Sequence, residues 1–153
     1  MAPSISIPSK PLELNTDDQI YLQADNGMYL SRINRGVGLN PIEAAKSGID
    51  PNCRFVVTIL DDLTIALQAD NGMYLSWISS GDSDPIEAAK SGIDTYCHFR
   101  VLQLCSAQDQ SYLALQAENG MYFSRINRGG LDPIEAAKSG VDSYSCFRVS
   151  RIS

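Results

Sequence analysis

Polar side chains able to hold a small hydroxylated ligand recur three times along this chain. Asp25-Asn26, Asp70-Asn71 and Glu118-Asn119 each place a carboxylate beside an amide, directly before a glycine. A carboxylate accepts hydrogen bonds and an amide both donates and accepts, so the pair can read a sugar hydroxyl. A second set stands a few residues later. Arg32, Asn34 and Arg35 recur as Arg125, Asn127 and Arg128, whereas the middle copy reads Trp77, Ile78, Ser79, Ser80. Arginine and asparagine offer directional donors, and the indole offers a flat apolar platform for a pyranose face. Each set also has a structural reading. Asn-Gly makes a turn, an arginine is a solvated surface charge, and a tryptophan packs.

Glu43, Glu87 and Glu135 recur with Lys46, Lys90 and Lys138. As charge pairs at a rim they are worth little each, and a structural role is expected of them. No Ser-His-Asp or Cys-His arrangement, phosphate loop or metal-ligand spacing is visible. The expectation is a protein that is not an enzyme and uses no cofactor or metal. His98 reads as an ordinary strand residue. Cys53 and Cys97 both fall twelve residues after a proline in their copies. Symmetry-related positions make a poor disulfide, so they are expected, with Cys105 and Cys146, to be free thiols.

The elements that position these residues are written in the same recurrence, of roughly 45 residues, the mark of a repeat architecture. An arm of residues 1–18 precedes a domain of 19–153, with repeats of about 19–62, 63–110 and 111–153. Ile20, Leu22 and Ala24 alternate with polar residues, as do Ile65, Leu67 and Ala69, and Leu113, Leu115 and Ala117. That period predicts a half-buried strand. Asn-Gly follows, the strongest short hairpin signal, on the argument that both residues tolerate positive φ. A second strand spans Met28 to Ile33, with counterparts at Met73 to Ile78 and Met121 to Ile126. Each repeat closes on another alternating strand through Cys53, Phe55 and Val57, Phe99 and Val101, or Phe147 and Val149.

The middle stretch is ambiguous. Asp132-Pro133-Ile134-Glu135-Ala136-Ala137-Lys138-Ser139-Gly140 carries helix-start and helix-stop signals. Yet it is too short to be a stable helix unaided, and a short strand is the preferred alternative.

With strands at these places the chain resembles a β-trefoil. Its turn, Gly-x-Tyr-Leu-Ser, third strand around Ile42, Ile86 and Ile134, and Phe-containing fourth strand are similar to hisactophilin and the fascin domains. The plant amaranthin-type agglutinin domains are similar too, with Tyr-Leu before a variable loop and Asp-Pro further on. The resemblance implies an all-β fold with three internal repeats and approximate three-fold symmetry. Its expected core is Leu22, Leu67 and Leu115; Leu30, Leu75 and Phe123; Ile42, Ile86 and Ile134; and Phe55, Phe99 and Phe147.

A net charge of −6 over 153 residues argues against nucleic acid as a main partner and disfavours anionic membranes. No apolar stretch is long enough to span a bilayer, and the start lacks the pattern of a signal peptide, so a cytoplasmic location is expected. The leading functional expectation is a multivalent lectin that binds glycans or glycoproteins through up to three related repeat-loop sites, with a homo-oligomer compatible. The fascin and hisactophilin resemblance implies instead an actin-associated or other protein-binding module, though the histidine richness of hisactophilin is missing. A defence protein acting through its loops is a third reading.

Overall fold

The computed structural model of the chain describes residues 14–36, 38–79, 81, 83–104 and 112–151. The alternating segments form twelve short strands: β1 Gln19–Gln23, β2 Tyr29–Arg32, β3 Ile42–Lys46, β4 Phe55–Asp61, β5 Thr64–Gln68, β6 Tyr74–Trp77, β7 Ile86–Lys90, β8 Phe99–Leu104, β9 Tyr112–Gln116, β10 Tyr122–Arg125, β11 Ile134–Lys138 and β12 Phe147–Arg151. Six of them close a ring of antiparallel neighbours, β12–β1–β4–β5–β8–β9 and back to β12. Closure leaves this barrel without a free edge. The other six pair as hairpins, β2–β3, β6–β7 and β10–β11, one per repeat. A six-stranded barrel with a hairpin triplet is the β-trefoil architecture.

Backbone bonds join the three hairpins in a cycle. Ala44 N–H donates to the Asp132 carbonyl, Ala88 to Asn40 and Ala136 to Asp84, each at 2.9 Å. The hairpin ladders, with these bonds added, decide the ambiguous middle stretch. A helix would need its N–H groups for itself, whereas here the alanines satisfy carbonyls of the neighbouring repeat. Ile-Glu-Ala-Ala-Lys is therefore a strand in all three copies.

All twelve expected core residues are buried, each at most 1% exposed. Phe55, Phe99 and Phe147 pair in register with Ile20, Ile65 and Leu113. Phe99 meets Phe123 edge to face, ring centroids 4.7 Å apart.

The Asn-Gly turns differ in type from the expectation. Only the glycines take positive φ, near +83° at Gly27, Gly72 and Gly120. Gly27 N–H donates to the Ala24 carbonyl at 3.0 Å and Ala24 N–H to Met28 at 2.8 Å. Asn26 remains at negative φ, and its side chain accepts from Met28 N–H at 3.0 Å. Asn71 and Asn119 do the same with Met73 and Met121. The asparagine shapes the turn through its side chain rather than through a left-handed backbone.

Each repeat then closes through a single 3-10 turn, at Pro51–Cys53, Thr95–Cys97 and Ser143–Ser145. Cys53 and Cys97 thus sit in turns, not in the following strand. His98 lies one residue before β8, where its N–H caps the turn on Thr95. Asp50, Asp94 and Asp142 cap these turns and take Lys46, Lys90 and Lys138 as ion-pair partners. The recurring lysines therefore serve the caps and do not pair with the recurring glutamates. Cys53, Cys97 and Cys146 are free thiols, the first two buried, and Cys105 lies outside the described residues. Ahead of β1, Leu14 packs on the core and Asp17 N–H reaches the Val57 carbonyl at 2.7 Å.

Candidate functional site

The last residue of the second strand in repeats one and three reaches the turn of the next repeat. Arg32, at the end of β2, forks onto Asp70 with Nε and Nη2 at 2.7 and 3.0 Å and donates to Asn40 Oδ1 at 2.8 Å. Arg125, at the end of β10, forks onto Asp25 with the same two distances and donates to Asp132 at 2.7 Å. Both contacts are three-fold-related seams, repeat one to two and repeat three to one. Bidentate charge-assisted bonds of this kind are the strong ones. The hydrogen bonds from Arg32 hold the Asp70 carboxyl below its ordinary value. Asp25, Asp70, Arg32 and Arg125 are thereby engaged within the chain.

The seam between repeats two and three is built differently. Trp77 occupies the arginine position, and its indole N–H donates to Asp84 Oδ1 at 2.8 Å. Its ring packs on Tyr96 at 5.6 Å between centroids. Glu118, which stands where Asp25 and Asp70 stand, is exposed, and the residue at the arginine position of its seam is the tryptophan. A cavity of about 290 Å³ opens at this seam, lined by Ser83, Asp84, Asn119, Met121, Arg128 and Glu135 among others. It offers carboxylate, amide and guanidinium groups next to apolar surface, the mixture that orients a polyhydroxylated ligand.

The remaining predicted residues divide among turns, solvent and ion pairs within their own hairpins. Asn26 and Asn71 shape their turns, while Asn119 also donates from Nδ2 to the Ala136 carbonyl at 3.3 Å. Asn34 Oδ1 accepts from Gly36 N–H at 2.8 Å. Ser79 and Asn127 are exposed. Arg35 and Arg128 turn back onto Glu43 and Glu135 of their own hairpins. Asp84 and Ser83 line the seam cavity although neither was singled out in the sequence. The departure of repeat two from its neighbours was the available signal.

A larger cavity, about 620 Å³, lies beside the β4–β5 turn against Leu14, Ile59, Leu63, Arg100 and Leu102, with Asp61 and Asp62. It contains none of the predicted residues. Among the described residues no group of three or more His, Cys, Asp or Glu side chains is placed to hold a metal ion. Among them, too, no helix is long and apolar enough to cross a membrane.

No family profile and no curated protein sequence matches the chain. Solved structures do. The designed three-fold symmetric protein ThreeFoil is 17% identical, with a TM-score of 0.73 over 88% of this chain and 99% of its own. The BEL β-trefoil is 11% identical, with a TM-score of 0.69 over 97% of this chain and 100% of its own. The lectin of Polyporus squamosus, solved with the epitope Neu5Aca2-6Galb1-4GlcNAc, is 11% identical with a TM-score of 0.68. That match covers 91% of this chain and 50% of the lectin, so the chain spans about half of that protein. These likenesses establish the fold class: the chain is a β-trefoil protein. At such identities they establish nothing finer.

Proposed function

We propose that the chain is a non-catalytic carbohydrate-binding protein whose principal site is the seam between repeats two and three. The observation that carries this reading is a cavity of about 290 Å³ with Asp84 and Asn119 in its wall, at the seam where Trp77 replaces the arginine and donates to Asp84. The other two seams are each closed by a bidentate ion pair between repeats, which this seam lacks. A sugar seated in this cavity would meet the carboxylate and amide of its wall, with the Trp77 edge behind Asp84 as the nearest aromatic group. The shared fold with a lectin solved on a sialylated epitope supports the class of ligand. It leaves the particular sugar open.

A glycan array followed by calorimetry on the best hit tests this. Trp77→Ala and Asn119→Ala should each weaken binding about tenfold, the worth of one aromatic stack or hydrogen-bond set. Arg32→Ala should leave affinity unchanged, because Arg32 closes a different seam. EDTA should have no effect. An array without hits would move the protein-partner reading ahead, with actin co-sedimentation as its first assay.

A further inference from the structure

Each cap hairpin carries a glutamate at one register position. Glu43 faces Ser31, Glu87 faces Ser76 and Glu135 faces Ser124. In two hairpins an arginine covers the carboxylate. Arg35 reaches Glu43 with Nε at 2.8 Å and Nη2 at 2.7 Å. Arg128 reaches Glu135 with Nη2 at 2.8 Å and with Nε on the other oxygen. Both glutamates are 3% exposed under this cover. The fold therefore presents the same carboxylate twice to a planar guanidinium fork, and twice the fork is filled from within the chain.

The hairpin of repeat two lacks its arginine. Arg128 stands seven residues before Glu135, and the residue seven before Glu87 is Ser80. No lysine or arginine occurs anywhere from Ser79 to Pro85. Glu87 is correspondingly only half-buried. Among the described residues no cation or hydrogen-bond donor reaches its carboxylate, and partial burial pushes its carboxyl up. A buried or half-buried carboxylate without a partner is costly, and a cation arriving from solvent relieves that cost.

We propose that Glu87 is the receptor for a guanidinium group supplied by another molecule, an arginine side chain of a partner polypeptide. The group would sit as Arg35 and Arg128 sit in their own hairpins. A guanidinium fits better than an ammonium, because the two filled copies accept a flat two-pronged donor. Repeat two lacks both arginines of its neighbours, and the chain as a whole carries a net charge of −6, which favours a cationic partner. Glu87 lies against repeat one, bridging to Pro41, so this proposal does not depend on glycan binding at the seam between repeats two and three.

The test is titration of the full chain, followed by NMR or calorimetry, with N-acetyl-L-argininamide, a blocked Gly-Arg-Gly tripeptide and N-acetyl-L-lysinamide. The guanidinium probes should bind with a dissociation constant of the order of 1 mM, the lysine probe more weakly. The tripeptide should bind tighter than the single residue, since flanking backbone adds contacts. Equal binding of the two would overturn the polypeptide source and keep the guanidinium receptor. Glu87→Gln should weaken binding roughly tenfold or more, the worth of a charge-assisted bond. Ser80→Arg rebuilds the pair of repeat three and should abolish probe binding by filling the site from within. Glycan binding measured on the same two variants separates this site from the seam. The proposal fails if neither guanidinium probe binds the unmodified chain, or if binding is unchanged in Glu87→Gln, which keeps the shape and removes the charge.

Discussion

Two carboxylates, one met by an arginine and one not, carry opposite signs of stability. Asp70 meets Arg32, and the hydrogen bonds from that guanidinium hold its carboxyl below the ordinary 3.8. Its contribution is present above the unfolded value and is lost as pH falls through the lower folded value. Arg32→Ala should therefore cost about 1–2 kcal/mol at pH 7, in line with a partly buried charged hydrogen bond, and should flatten the acid limb of stability. Urea titrations across pH 3–7 read both effects. Glu87 has no such partner among the described residues, and burial lifts its carboxyl above the ordinary 4.5. Ionisation is then disfavoured in the folded state, so the unfavourable contribution grows as pH rises through the unfolded value. Glu87→Gln should leave the protein as stable or more stable at pH 7 and make no difference near pH 3. Glu43→Gln should do the reverse at pH 7. It removes the charge of a nearly buried carboxylate onto which Arg35 forks, so stability at pH 7 should fall. If the two glutamine variants behave alike, the absence of an arginine over Glu87 has no energetic consequence.

At the scale of the element, strands and core were legible because their signals are local and repeat. Ile20, Leu22 and their counterparts alternate over one strand, and three copies agree. The turn type was less legible, since Asn-Gly serves more than one hairpin. Asn71 uses its side chain on Met73 N–H, and only Gly72 takes the left-handed backbone. Gly72→Ala should accordingly cost about 1–2 kcal/mol from backbone strain alone, as a Cβ there would meet nothing within 4 Å. Asn71→Ala should cost about 1 kcal/mol, the net worth of one turn hydrogen bond. The middle strand was ambiguous for a different reason. Its Asp-Pro start reads as a helix cap, but it pairs along its length with the second strand of its own repeat and takes a further bond from the neighbouring one. Phe99→Ala tests the core those strands enclose. It should cost about 3–5 kcal/mol in a denaturant titration, the range for an aromatic buried on all sides.

Across the whole molecule, the ties that define the candidate site join residues far apart in sequence. Arg32 and Asp70 are 38 residues apart, and Arg125 and Asp25 are 100 apart. No reading of local pattern pairs them, so the arginines and turn carboxylates were legible as recurring groups but not as partners. What the sequence does hold is a matched departure. The seam with Trp77 in place of arginine is also the seam with Glu118 in place of aspartate. Arginine and aspartate fork together at the first and third seams, and both partners change at the second. Restoring both should therefore restore the pair. Trp77→Arg with Glu118→Asp should let the introduced guanidinium reach the shortened carboxylate and Asp84, as Arg125 reaches Asp25 and Asp132. The gain over Trp77→Arg alone should be about 1 kcal/mol, the upper range for a partly exposed pair, and should shrink at high salt. The double variant should also lose glycan binding at the seam, because the aromatic face is gone and the carboxylates are engaged. Urea titration of the two single variants and the double variant gives the coupling directly. A coupling near zero would mean that Glu118 does not lie where an arginine in place of Trp77 can reach it, and the matched departure would then have no structural basis. Retained glycan affinity in the double variant would move the site away from Trp77.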